Sequence, residues 1–261
     1  MRAAAAIACA ALLLPGAAQA GLSRAALDKA VEAPPANAAV PLSLRFTDET
    51  GVPRSFGDAL AGVPSLLVFA DFTCRTLCGP MVEFAAAGLA RTGLVPGRDF
   101  RLLVVGLDPR DTRDDARRLK ARHVDPRSPL AAATTVLSGD AAVIRAATAA
   151  VGYRYAYDAD NDQFAHPAAA LVIDPAGRVA RVLSPLALDG ADLRLALVDA
   201  AGGRTGTFAD RIRLLCYGHD PATGIYTVPV TRALALGALL TLAALLGGIG
   251  LMIRRTREPA S

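Results

Sequence analysis

An apolar run, Ser65–Phe72, leads directly into a pair of cysteines, Cys74 and Cys78, and then into Gly79-Pro80 and a helical pattern reaching about Ala90. The run reads as a buried strand. Gly-Pro suits the opening of a helix, because the N–H that proline lacks has no partner in the first turn. A buried strand, a loop with two thiols and a helix leave few folds open. Sulfur at a helix start sits in a field that favours thiolate. Thiolate is the nucleophile of disulfide exchange and also a soft ligand for Cu(I) or Zn(II). Three residues separate the cysteines, not the two of the redox motif. The pair can therefore span about a helical turn and offer both sulfurs to one metal ion, and a disulfide is equally open to it.

The flanking pattern says what this unit belongs to. Leu42–Phe46 alternates apolar and polar residues, Thr47–Gly51 is a turn, and Val52–Phe56 reads as the return strand of a hairpin. Beyond the cysteine helix, Arg101–Leu107 is a second apolar strand, followed by a charged helix over Asp111–Arg122 capped by Asp111 or Thr112. Thr134–Leu137 is a short strand, and Ser138-Gly139-Asp140 opens a helix to about Val151. Tyr153–Tyr157 reads as a strand and Asp158–Gln163 as an acidic loop. Ala168–Asp174 and Arg178–Leu183 are strands joined by the turn Pro175-Ala176-Gly177, and Asp189–Ala201 is a last helix. Alternating strands and helices predict an α/β layer fold with parallel strands, and the closing hairpin makes the sheet mixed. A strand, a cysteine loop and a helix in that setting form the thioredoxin-like arrangement.

Both ends are apolar, which accounts for much of the 53% hydrophobic content. Met1-Arg2, the run Ala3–Leu14 and the small residues up to Ala20 have the form of a cleaved export signal, and Cys9 would leave with it. A short helix around Arg24–Glu32 and a Pro-containing linker follow. Ala233–Ile253 carries no charge and is long enough to cross a bilayer core of ~30 Å at ~1.5 Å per residue. Arg254, Arg255 and Arg257 follow it, against Arg232 alone before it, so the positive-inside rule puts the tail in the cytoplasm. The expected organisation is a signal over 1–20, a linker over 21–40, the thioredoxin-like domain over 41–201, a juxtamembrane segment over 202–232, a transmembrane helix over 233–253 and a cytoplasmic tail over 254–261. Most of the net charge of +4 sits at the two ends, and the chain has no Trp, so neither a basic surface nor a base-stacking platform argues for nucleic acid.

Without Cys9, three cysteines remain: Cys74, Cys78 and Cys216. That is too few for a disulfide scaffold and points to redox or metal chemistry. The chain has three histidines. His123 ends the charged helix, where a cationic ring answers the helix dipole and a structural role suffices. His166 lies just before an apolar strand, and loops at strand ends in α/β folds face the working edge. Cys216 and His219, three apart in the juxtamembrane segment, could bind a metal weakly, but a structured spacer explains them as well.

These segments resemble the Sco (SenC/PrrC-like) family of membrane-tethered copper proteins. The likeness begins at the Leu42–Phe56 hairpin and includes Phe69–Pro80 with its Thr-Cys-x3-Cys and following Pro. It continues through Val105–Thr112, Leu137-Ser138-Gly139, Gly152-Tyr153 and the stretch Phe164–Val182 with its His loop and Ile-Asp-Pro-x-Gly-Arg hairpin. It spans roughly Pro41–Ala201 and resembles the layout of C-terminally anchored bacterial members. It implies a thioredoxin-like fold and a copper site of Cys74, Cys78 and His166, with Asp108 as the acidic residue near it. Two positions depart from the family. Arg75 stands where Pro usually follows the first cysteine, and Ala165 stands where Asp usually precedes the histidine. Arg75 brings a cation that should favour thiolate. Ala165 removes a carboxylate that could orient the ring.

The resemblance implies a metallochaperone rather than an enzyme. It would hold Cu(I), with Cu(II) as a second state, on the periplasmic side of the bacterial cytoplasmic membrane. It would deliver the metal to the dinuclear copper centre of cytochrome c oxidase subunit II, and a periplasmic thiol reductant would keep the cysteines reduced. The alternatives are a thiol–disulfide oxidoreductase in which Cys74 attacks and Cys78 resolves, a redox or copper sensor, and a structural partner with a vestigial site.

Overall fold

The computed structural model describes residues 34–35, 37–74, 78–159, 162–202, 218–219, 226–227 and 239–242. The expected export signal, the Arg24–Glu32 helix, Arg75, Cys216 and the tail lie outside the described residues. So does all but 239–242 of the expected transmembrane helix. Those four residues are helical. Among the described residues no helix is long and apolar enough to cross a membrane.

Seven strands form one mixed sheet. In chain order they are β1 (Arg45–Asp48), β2 (Pro53–Ser55), β3 (Ser65–Ala70), β4 (Arg101–Gly106), β5 (Thr134–Ser138), β8 (Ala170–Ile173) and β9 (Val179–Leu183). Their order across the sheet is β2-β1-β5-β4-β3-β8-β9. The expected hairpin is present, with Arg45 opposite Ser55 and Thr47 opposite Pro53. β3, β4 and β5 run parallel, and β8 runs antiparallel to β3. Two further strands, β6 (Ala156–Asp158) and β7 (Gln163–Ala165), form a separate small hairpin. The sequence places a strand near β6 but reads β7's start as loop, because this hairpin is half-exposed and lacks a clean apolar alternation.

The central strands are buried on both faces, and their alternate residues serve different layers. Leu66, Val68, Leu102, Val104 and Val172 face one core, with α2 (Cys78–Arg91) and α6 (Gly190–Ala200) packed over it. Leu67, Phe69, Leu103, Val105 and Leu171 face the other, covered by α1 (Phe56–Leu60) and α5 (Ala141–Ala150). Burying a large apolar side chain of this kind contributes about 1.5–3 kcal/mol, so a polar residue in β3 would be costly on either face.

Helix ends follow local chemistry. Asp140 caps α5 by accepting from the Ala142 and Val143 amides. α3 (Arg113–His123) opens with a capping box in which Thr112 accepts from the Asp115 amide and Asp115 accepts from Thr112. Thr112, not Asp111, is therefore the cap, and Asp111 is free to turn inward.

One glycine holds two elements together. A Cβ at Gly88 of α2 would lie 2.1 Å from the Leu188 carbonyl oxygen, in the 3₁₀ turn Pro185–Leu188. The neighbour is backbone and cannot swing aside. Gly88→Ala should therefore cost about 2 kcal/mol of stability through overpacking, whereas the same change at a roomy helical site gains up to ~1 kcal/mol. Urea unfolding measures it, and an unchanged or raised midpoint would contradict this packing.

Candidate metal centre

The sheet topology explains why two distant segments meet. The β3–β8 register runs from Ser65 opposite Ile173 to Val68 opposite Ala170. The chain leaving β3 and the chain entering β8 therefore share one edge of the sheet. The first carries Cys74 and Cys78, the second carries His166. Cys78 Sγ lies 3.1 Å from His166 Nε2.

Cys78 is the first residue of α2 and is only 2% exposed. Cys74, in the loop before it, is half-buried, and neither is in a disulfide. The Asp71 amide points at the Cys78 sulfur, an arrangement that favours thiolate, but it does not prevail. The hydrogen-bonded Cys74 thiol, and after it burial, push the Cys78 thiol far above its usual range. The helix start alone predicts an activated thiolate. At Cys78 the opposite holds in the metal-free protein, because a second thiol and a desolvated pocket outweigh the helix field. Cys74 Sγ lies 3.9 Å from Gln163 Oε1.

His166 is held from behind. Its Nδ1 lies 2.8 Å from the Tyr153 hydroxyl and 3.0 Å from the Pro167 carbonyl oxygen. Burial lowers its pKa, so the ring is neutral at neutral pH. Tyr153 is buried against Phe69, with ring centroids 4.6 Å apart, and burial raises its pKa.

Buried carboxyls brace the cysteine loop. Asp71 Oδ1 accepts from the Thr73 amide and hydroxyl, and Asp71 Oδ2 accepts from the Phe164 amide at 3.1 Å. One side chain thus ties the loop to β7, which leads to His166. Asp111 Oδ2 accepts from the Phe72 amide at 2.9 Å. Asp108, the acidic residue expected near the site, accepts from the Arg110 amide and guanidinium. Arg110 also pairs with Asp162 and lies over the Tyr157 ring, which clamps the β6–β7 hairpin to the loop after β4. Asp71, Asp111 and Tyr153 are the neighbours that sequence reasoning misses. Asp71, directly after an apolar strand, carries the one local signal.

His123 ends α3 and lies against the start of α2. Its ring packs on α2, where a Cβ at Gly79 would lie 2.5 Å from Nε2. With Arg118, Arg122 and Phe72 it lines a cavity of about 500 Å³ that opens onto Cys74. His219 lies in the strand pair Gly218–His219 and Tyr226–Thr227, and nothing places it with the cysteines. Among the described residues no three His, Cys, Asp or Glu side chains are gathered tightly enough to hold a metal as they stand. Two soft donors, Cys78 and His166, are in contact, and the third, the Cys74 thiol, is hydrogen-bonded to Cys78.

A family model described as SCO1/SenC matches residues 33–197. No curated protein matches the chain. Solved structures share the fold. One, a protein from Aquifex aeolicus VF5, has a TM-score of 0.56 at 20% identity, covering 64% of this chain and 95% of its own. ScoI from Arabidopsis thaliana, crystallised with copper bound, has a TM-score of 0.52 at 16% identity, covering 62% of this chain and 98% of its own. BsSco, titled a member of the Sco family of cytochrome c oxidase assembly proteins with a disulfide switch, has a TM-score of 0.53 at 18% identity, covering 66% and 98%. These likenesses confirm the thioredoxin-like fold.

Asp111 gives a pH test of the loop's support. Burial, and then the nearby Asp71 and Asp108 charges, push its carboxyl up from 3.8 to about 7, against the Phe72 amide that favours the charged form. The folded chain keeps a proton there that the unfolded chain releases near 3.8. Its contribution to stability is therefore full at low pH and is lost as pH rises from about 4 to about 7. Asp111→Asn keeps the acceptor and cannot ionise. Its urea midpoint should gain on the parent's between about pH 4 and pH 7. Parallel pH profiles would mean that Asp111 ionises freely in the fold.

Proposed function

The chain belongs to the SCO1/SenC family, and from that membership we propose that it binds Cu(I) through Cys74, Cys78 and His166 and serves cytochrome c oxidase assembly. The observation that carries this reading is the 3.1 Å approach of Cys78 Sγ to His166 Nε2, two soft donors from segments 88 residues apart. Copper in the Arabidopsis relative and the place of BsSco among the cytochrome c oxidase assembly proteins support it. The donor set fits: thiolate and imidazole suit Cu(I), and the neutral ring needs no deprotonation. Cys74, whose thiol is already hydrogen-bonded to Cys78, would complete the set.

The pushed-up Cys78 thiol has a direct consequence. Cys78 carries its proton in the free protein, so Cu(I) loading releases it and acid opposes loading. We take copper as cargo. It would pass to the dinuclear centre of oxidase subunit II, with the domain in the periplasm. Ala233–Ile253 would anchor the chain in the bacterial cytoplasmic membrane, and a thiol reductant would keep the cysteines reduced.

The test is Cu(I) titration of the reduced full-length chain by chelator competition, with His166→Ala alongside. One Cu(I) per chain is expected, and affinity should fall at least ~10-fold in His166→Ala, since even supporting residues of metal sites are worth 10–100-fold. Absence of Cu(I) binding, or unchanged affinity in His166→Ala, would end the three-donor reading. Disulfide turnover lost in Cys74→Ser but kept in His166→Ala would instead favour the oxidoreductase.

A further inference from the structure

Three polar atoms behind His166 form a closed triangle. The Tyr153 hydroxyl lies 2.7 Å from the Pro167 carbonyl oxygen and 2.8 Å from His166 Nδ1, and Nδ1 lies 3.0 Å from the same carbonyl. The carbonyl can only accept, and the hydroxyl has one proton to give. The carbonyl already accepts from the Ala169 amide at 3.0 Å, but if the hydroxyl proton went to Nδ1, that oxygen and an unprotonated Nδ1 would face each other at 3.0 Å, two electron-rich atoms with no proton between them. If it goes to Pro167, Nδ1–H can donate to the hydroxyl and lean on the carbonyl, and every group is satisfied. Only the second arrangement puts a proton on the short approach of Nδ1 to the carbonyl oxygen. Nδ1 then carries the proton, and the Nε2 lone pair points at Cys78 Sγ.

We propose that Tyr153 is a positioning residue that fixes His166 as the Nδ1–H tautomer and so aims Nε2 at the thiols. The residue before His166 is Ala165, which has no polar side chain to orient the ring. The orienting group comes instead from the far side of the small hairpin, 13 residues upstream. Tyr153 suits this task. It is 8% exposed, and its ring is fixed against Phe69 of β3, the strand that leads to the cysteines. The sheet that sets the sulfurs therefore also sets the imidazole. The tautomer follows from the hydrogen bonds alone, while its effect on Cu(I) rests on the function proposed above.

The experiment separates the two. The reduced, metal-free, full-length chain is labelled with ¹⁵N-histidine, and the ring nitrogens of His166 are read by NMR above its pKa. The parent should show a protonated Nδ1 and a bare Nε2. Tyr153→Phe keeps the ring and its packing. It should shift His166 toward a tautomer mixture with an unchanged far-UV spectrum, and should weaken Cu(I) about 10-fold or more. A parent ring protonated at Nε2 would overturn the proposal. So would a Tyr153→Phe chain with both the parent's nitrogen pattern and its Cu(I) affinity. If Tyr153→Phe does not fold, 3-fluorotyrosine labelling retains the hydroxyl and changes its hydrogen-bonding strength. A moved Nδ1 resonance then supports the contact, and an unmoved one overturns it. If the parent binds no Cu(I), the functional reading fails while the nitrogen pattern still decides the tautomer.

Discussion

Four backbone pairings between β3 and β8, from Ser65–Ile173 to Val68–Ala170, set where chemistry can occur in this chain. Because the strands are antiparallel, the exit of one and the entrance of the other lie side by side. A slip of one residue would turn every side chain of β8 to the opposite face. Both faces are packed, so the slip would break two cores at once. The precision of the Cys78–His166 contact is thus inherited from apolar packing well away from the sulfurs.

What the sheet does not supply, buried acids do. A loop carrying two thiols has backbone amides that no strand partner satisfies, and a buried amide left unpaired costs about 1–3 kcal/mol. Asp71 and Asp111 take up the amides of Thr73, Phe164 and Phe72. Placing the Asp71 carboxyl beside the thiols works against thiolate at Cys78. The loop's shape and the sulfurs' acidity are therefore opposed, and a cation arriving between them relieves both.

Much of this was legible in the sequence where one physical term dominates. The apolar runs of β3, β4 and β8 and the glycine-proline start of α2 gave those elements within a residue or two, because burial on two faces leaves little freedom. The cysteine pair and His166 stood out by residue type. Other features depend on contacts between distant residues. Asp111 and Thr112 are both good caps, and only the inward direction of Asp111 separates them. The β6–β7 hairpin is half-exposed and held by Arg110, Asp108 and Asp162, a polar clamp with no periodic signature. Tyr153 reads as a strand residue, and its link to His166 crosses a hairpin. Asp108 fits the acidic motif, yet its own neighbour Arg110 claims it first.

The unequal burial of the two cysteines gives the pair a front and a back. Cys78 is sealed between α2 and His166, whereas Cys74 borders the cavity walled by Arg118, Arg122 and His123. Any molecule that exchanges a bond with these sulfurs must meet Cys74 first and leave it last. On the function proposed above, handover at this edge is sequential and directional, with Cys74 as the gateway and the Cys78–His166 contact as the resting berth.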